Sequence, residues 1–249
     1  MTMYQNQTIV ATIEARMTSS RLPGKVLMEL SGIPALQHII ERLRRSRYID
    51  DVVVATTVNA ADDPIVSLCE RLKCHYYRGS EEDVLQRVLD AAKAFNGDII
   101  VEITGDCPLI DWRHADYLIE QLFERNCDYV SNTVERSFPR GYDTQVFPTA
   151  VLEKVNQITC DPTDHEHVSL YIYRHPDMFK IWNWHAPAEL DHPEFEPTLD
   201  TPEDYDFLSA IFQSLYEEDH GFSCEAVVGL LRNHPEIAGI NSRVGRKKV

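Results

Sequence analysis

Residues 8–25 read Thr8-Ile9-Val10-Ala11-Thr12-Ile13-Glu14-Ala15-Arg16-Met17-Thr18-Ser19-Ser20-Arg21-Leu22-Pro23-Gly24-Lys25. The first eight are mostly apolar and β-branched, the composition of a strand covered on both faces. Then the character changes: Arg16, Arg21 and Lys25 fall within ten residues, among small residues and a Pro-Gly turn. In an open α/β sheet, ligands bind beyond the carboxyl ends of the strands, where this basic loop sits. A triphosphate carries about four negative charges and needs charge-assisted hydrogen bonds together with close backbone N–H groups. Arg16, Arg21 and Lys25 can supply the first, and Ser19, Ser20 and Gly24 the second. The plainer alternative is a solvated basic loop. The Walker pattern G-x-x-x-x-G-K-[ST] is absent.

Working outward, strand and helix periodicities alternate. Leu36, Ile39, Ile40 and Leu43 share one helix face, and Val52 to Thr57 is a second buried strand. Asp63-Pro64 reads as an N-cap followed by proline at the first helical position, with Ile65, Leu68, Cys69 and Leu72 as the buried stripe. His75 to Arg78 is a short strand, Ser80 to Asp83 resembles a capping box, and Val84 to Ala92 a helix. Ile99 to Ile103 is a further strand, ending at Thr104-Gly105-Asp106. The alternation predicts an α/β fold: a Rossmann-like, mostly parallel sheet with helices on both faces.

The second half is less regular. Helices are expected over Trp112–Arg125, Ala150–Ile158 and His165–Arg174, and strands over Asp128–Asn132 and Phe179–Trp184. Thr201-Pro202-Glu203-Asp204 is a strong helix start, and a last helix follows Ser223. With no repeat or linker, residues 1–249 read as a single domain.

Bulk properties exclude several function classes. The 249 residues are 43% hydrophobic and 26% charged, enough to bury a core without disulfides or structural metals. A net charge of −16 repels nucleic-acid phosphates. No apolar run approaches the roughly 20 residues of a membrane span, and Met1 to Gln7 has no signal core. The six cysteines form no C-x-x-C pair, so they read as reduced thiols of a cytoplasmic protein rather than a zinc site.

Further segments recur in order: Tyr77-Arg78-Gly79-Ser80-Glu81-Glu82-Asp83-Val84-Leu85, Thr104-Gly105-Asp106-Cys107-Pro108-Leu109-Ile110, His165-Glu166-His167-Val168, and Leu199-Asp200-Thr201-Pro202-Glu203-Asp204. With the basic loop they resemble the cytidylyltransferases that activate acidic sugars, such as the KDO and acylneuraminate enzymes, and most of all the SpsF-like branch. That resemblance implies a nucleotide-diphospho-sugar transferase-like fold and transfer of CMP from CTP to an acidic sugar or sugar-like acceptor. It also implies a homodimer, with Mg²⁺ held by Asp106 and Asp200, residues that otherwise read as a turn aspartate and the residue before a helix cap. Arg16, Lys25 and Asp106 would carry catalysis. Ala15, Arg16, Ser20, Arg21 and Lys25 would meet the nucleotide, joined by Thr104, Asp83 and Arg78. Arg78 otherwise reads as a surface ion pair with Glu81 or Glu82.

For the acceptor, Pro139-Arg140-Gly141-Tyr142-Asp143-Thr144-Gln145 resembles an SpsF-like segment reading glycine, x, aspartate, x, glutamate. Asp143 and Gln145 would face the acceptor, but Gln145 replaces the usual glutamate, and an amide can donate where a carboxylate cannot. His165 or His167 would touch the acceptor or simply pack; two apart on a helix, they are poor partners for one metal. A related-fold glycosyltransferase is the alternative function. Its D-x-D metal motif has only Asp204-Tyr205-Asp206 here, inside an expected helix. The tail Arg243, Arg246, Lys247 and Lys248 reads as solvated charge.

Overall fold

The computed structural model describes residue 4 and residues 6–245; the last three tail cations named above lie outside the described residues. The strands are β1 (Ile9–Glu14), β2 (Glu29–Leu30), β3 (Ile33–Pro34), β4 (Asp51–Thr57), β5 (His75–Gly79), β6 (Ile99–Thr104), β7 (Tyr129–Ser131), β8 (Gln145–Pro148) and β9 (Ile181–Asn183). The helices are α1 (Ala35–Leu43), α2 (Asp63–Leu72), α3 (Val84–Ala94), α4 (Trp112–Arg125), α5 (Thr149–Ile158), α6 (Pro162–Glu166), α7 (Leu170–Arg174), α8 (Pro202–Leu215), α9 (Cys224–Asn233) and α10 (Pro235–Ala238).

Seven strands form one sheet in the order β5-β4-β1-β6-β8-β7-β9, and β2 pairs with β3 in a separate ribbon. Neighbours from β5 to β6 are parallel, and β8 runs antiparallel to both β6 and β7. The architecture is the mostly parallel sheet expected.

Two-residue alternation along the strands sets the layers. Ile9, Ala11 and Ile13 of β1 join Val52 and Val54 of β4 against α1, α2 and α4. Val10, Val53 and Ala55 take the other face with Ala91 of α3, and beside them Ile100 of β6 packs with Leu85, Val88 and Leu89 of α3. Each Val, Leu or Ile side chain among them, fully buried, contributes about 1.5–3 kcal/mol. A second cluster packs α8 and α9 over Leu30, Leu109 and Phe138. It carries the segment before α8 back to the carboxyl end of β6.

Several boundaries differ from expectation. The stretch His165–Arg174 is not one helix: α6 and α7 are separated at His167–Ser169, where Val168 has φ 39°. A β-branched residue in the left-handed region breaks the α-helical run. Asp62 precedes α2 and Pro64 takes its second position. Asp83, not Ser80, caps α3 by accepting from the Gln86 N–H. At α8 the box is complete, with Thr201 and Asp204 each bonding the other's backbone. The same bonds bury Asp204, so the lone D-x-D belongs to a helix cap. Trp182 and Trp184 pack against the core beside β7, Trp182 under the Arg125 guanidinium.

Candidate active site

The cleft opens where β1 and β6 end. Leaving β1, the chain turns through a loop closed by Gly24, whose N–H donates to the Met17 carbonyl at 2.9 Å. Gly24 has φ 75°, in the left-handed region that favours glycine, and it starts the single 3-10 turn that carries Lys25. Two acidic residues hold the loop from below. Asp62 accepts from the Met17 N–H at 2.7 Å, and Glu81 accepts from Thr18 Oγ1 at 2.6 Å and from Arg16 at 3.3 Å.

Asp106 and Asp200 lie 94 residues apart in sequence and meet here. The Leu199 N–H donates to the Asp106 carbonyl at 2.8 Å, which brings Asp200 alongside. Lys25 Nζ donates to Asp106 Oδ2 at 3.1 Å and to Asp200 Oδ1 at 2.8 Å, and Arg21 pairs with Asp200 Oδ2 at 2.9 Å. Thr104 Oγ1 donates to Asp106 Oδ1 at 2.7 Å. Burial is the largest single effect, lowering the Lys25 pKa and raising that of Asp106, but the neighbours together outweigh it: Asp106 and Asp200 hold Lys25 above its ordinary value, and Lys25 with the Thr104 and Cys107 side chains holds Asp106 below. The two carboxylates therefore converge on one cation position, taken by the Lys25 ammonium. Among the described residues no group of three or more His, Cys, Asp or Glu is placed to hold a metal. A pair of hard oxygen donors beside a basic loop suits Mg²⁺, which completes its shell with phosphate oxygens and water.

The cleft has two lobes. The first, about 430 Å³, is lined by Arg16, Ser19, Ser20, Arg21, Lys25, Thr104, Gly105, Asp106 and Asp200. The second, about 810 Å³, is lined by Glu102, Arg136, Asp143, Gln145, Ser169 and Glu196. Glu14, Thr104, Arg140, Glu166 and His167 border both. Burial pushes the Glu14 carboxyl up to about 8, with Arg87 opposing and Asp106 adding to the rise.

The structure thus brings together most of the residues singled out in the sequence. Ala15 is buried just behind the loop. Asp143 stands in the second lobe, held by Arg136 at 2.7 and 2.8 Å, and Gln145 accepts from Ser169 Oγ at 2.6 Å. Besides Ala15, three expected site residues lie outside both linings. Arg78 donates to the carbonyls of Thr57 and Asn59 at 2.8 and 2.7 Å and pairs with Asp63, not with Glu81 or Glu82. Asp83 caps α3 and takes His165 Nδ1 at 2.8 Å, while His165 Nε2 reaches the Thr159 carbonyl at 3.1 Å. It is His167 that borders the cleft. Sequence reasoning passed over Glu14, Glu102, Arg136 and Arg140. A signal was present for Glu102, an acid inside an otherwise apolar strand.

Two expected results follow from these placements. Arg78→Ala frees the Thr57–Asn59 turn, costing about 1–2 kcal/mol in a denaturant titration, with nucleotide affinity changed less than about threefold. For His165, burial lowers its pKa, but the bonds to Asp83 and Thr159 outweigh it and the net shift is upward. Its stabilisation is complete below the unfolded value of about 6.5 and fades as pH rises through the higher folded value. The melting-temperature gap between wild type and His165→Gln should therefore be widest below about pH 6.5 and shrink above it; a gap constant with pH contradicts this.

A nucleotide-sugar-type α/β fold with a basic loop facing two aspartates defines a nucleotidyltransferase class of site. A model of the cytidylyltransferase family matches residues 10–230, and the chain belongs to that family. It is 36% identical to an uncharacterized protein of Methanocaldococcus jannaschii over 96% of each chain. It is 32% identical to the spore coat polysaccharide biosynthesis protein SpsF of Bacillus subtilis, over 92% of this chain and 96% of that one. A cytidylyltransferase structure from Leptospira borgpetersenii superposes with a TM-score of 0.89 at 31% identity, covering 98% of this chain and all of the other. No helix among the described residues is long and apolar enough to cross a membrane.

Proposed function

We propose that this protein transfers CMP from CTP to an acidic sugar or sugar-like acceptor, releasing pyrophosphate, in the assembly of a surface polysaccharide. The observation that carries the reading is the convergence of Lys25, Arg21, Asp106 and Asp200 at the end of the basic loop. Membership of the cytidylyltransferase family and similarity to SpsF support CTP as donor and polysaccharide synthesis as setting.

In this reading the triphosphate lies in the smaller lobe. Arg16, Arg21 and Lys25 neutralise it, and Ser19 and Ser20 add donors at close range. Asp106 and Asp200, 23% and 14% exposed, are open to the cleft and would hold Mg²⁺. When bound, that ion supplies Lewis-acid charge stabilisation at phosphate oxygens. The acceptor lies in the larger lobe, where Arg136 and Arg140 offer positive charge to its carboxylate and His167 stands at the junction. The acceptor oxygen forms the new bond to the α-phosphorus in line, its hydroxyl proton is lost, and the bond to the leaving pyrophosphate oxygen breaks.

A basic loop with three cations suits a triphosphate better than the diphosphate of a nucleotide sugar. With Asp204 engaged in its helix cap, the glycosyltransferase alternative also lacks its D-x-D motif. The test is pyrophosphate release with CTP, Mg²⁺ and a panel of sugar acids. Acceptor-dependent release supports the proposal. Release of free UDP from a UDP-sugar, with CTP inert, sinks it in favour of glycosyl transfer.

A further inference from the structure

The larger lobe holds two buried acids that a nucleotide and a simple sugar acid leave without a partner. Its arginines have partners other than these two acids: Arg136 is held by Asp143 through two bonds, and Arg140 lies 3.4 Å from Glu196. Glu14 and Glu102 also line this lobe, and the cation acting on Glu14 is Arg87, which is not among the residues of the lining. Glu102 is only 3% exposed. Its Oε2 and the Oε1 of Glu14 are shielded from solvent and have no hydrogen-bond partner.

The two acids are neighbours through the sheet register. Thr12 lies opposite Glu102 and Glu14 opposite Thr104, so Glu14 and Glu102 sit on adjacent strands, on one face, a diagonal step apart. Arg87 is the nearest cation behind Glu14, but its guanidinium bonds the carbonyls of Ala55 and Ser80. Burial and the nearby Glu14 push Glu102 well above the usual carboxylate range. Buried this way, an acid keeps its proton until a positive charge arrives, and a ligand that brings that charge favours the ionised carboxylates.

We propose that Glu102 and Glu14 together bind a primary ammonium group on the acceptor, so that the substrate is a sugar acid that also carries an amine. This rests on the CMP-transfer reading above and narrows its substrate class. An ammonium is a compact charge with three donors, enough to bond both carboxyls at once. A neutral hydroxyl brings one proton and no charge, so it cannot favour the ionised form of either acid as an ammonium does. Gln145 agrees with this assignment. It lies opposite Glu102 in the β6–β8 register, and its Oε1 already accepts from Ser169 and Tyr129. Its remaining capacity is the amide N–H₂, which places a donor, not a third carboxylate, beside Glu102. The acceptor's carboxylate would then meet the arginine side of the lobe and its amine the glutamate side.

The experiment compares 3-deoxy-manno-octulosonate with the analogue whose terminal hydroxyl is replaced by an amine, using CTP, Mg²⁺ and pyrophosphate release. The amino compound should give a kcat/KM at least about tenfold higher. Glu102→Gln, which keeps the shape and removes the charge, should erase that preference while CTP still raises the variant's melting temperature. Glu14→Gln should weaken it in the same direction. Equal use of the two acceptors overturns the proposal, as does a preference that survives in both variants. So does turnover of neither compound by a protein that binds CTP. Failure of the wild type to respond to CTP at all is a different result: it removes the CMP-transfer reading and this inference with it.

Discussion

Asp106→Ala should lower the rate of CMP transfer by roughly 100-fold or more, the loss of about 3–4 kcal/mol in the transition state that follows removal of one preorganised electrostatic contact. The expectation rests on position. Asp106 follows β6 and is oriented by Thr104 Oγ1. It faces Lys25 together with Asp200. The variant keeps the Leu199 bond to its backbone carbonyl and should remain folded. Lys25 keeps Asp200 as a partner at 2.8 Å, so no buried cation is stranded. Arg16→Ala should cost a similar factor in kcat/KM. Arg16 is 44% exposed and bonded only at 3.3 Å to Glu81, which leaves it free to turn toward a bound triphosphate. Near-wild-type turnover in both variants, with folding intact, would remove the phosphate loop and Asp106 from the chemistry.

The second large effect is on stability. Gly141 has φ 108°, and a Cβ built there would lie 2.6 Å from the Pro197 carbonyl oxygen. The obstacle is backbone, so no side-chain rotation relieves it, and the left-handed conformation adds its own penalty. Gly141→Ala should destabilise the protein by about 3 kcal/mol or more, a fall of roughly 10 °C in melting temperature for a chain of this size. The clash pushes 139–143 away from 197–200, the contact that sets Asp200 and Asp143 on either side of the cleft. Acceptor KM should therefore rise even at temperatures where the variant is folded. A variant with wild-type stability would show that this approach is looser than its geometry.

The parts of the fold legible in the sequence were those whose signal is local. The alternating apolar runs of β1, β4 and β6 and the helical stripes between them mark buried elements by periodicity alone. The cap at Thr201 follows from four consecutive residues. The antiparallel strand β8 was not legible, because Gln145–Pro148 is short and mixed, and its pairing with β6 is a tertiary choice. Nor was the break at Val168, where packing holds a β-branched residue at φ 39° against its preference.

The candidate site divides along the same line. The loop 16–25 announced itself by charge density, and it lies where the strand-end rule puts it. Arg78, which the resemblance placed at the nucleotide, ties down the turn after β4, and Glu81 and Asp62 tether the basic loop. Glu102 and Glu14 form a pair only through the β1–β6 register, which no single segment encodes.

The central claim, that the basic loop and the two aspartates form a magnesium-dependent CTP site, is tested most directly by thermal shift. CTP, UTP, GTP and ATP would each be compared with and without Mg²⁺. A ligand that binds only the folded state raises the melting temperature by mass action, about 2.7 kcal/mol at 100 times its Kd. The account predicts a selective rise with CTP that grows when Mg²⁺ is present and is lost in Asp106→Ala. Stabilisation by another nucleotide with CTP silent, or a CTP shift indifferent to Mg²⁺ and to Asp106, would contradict it.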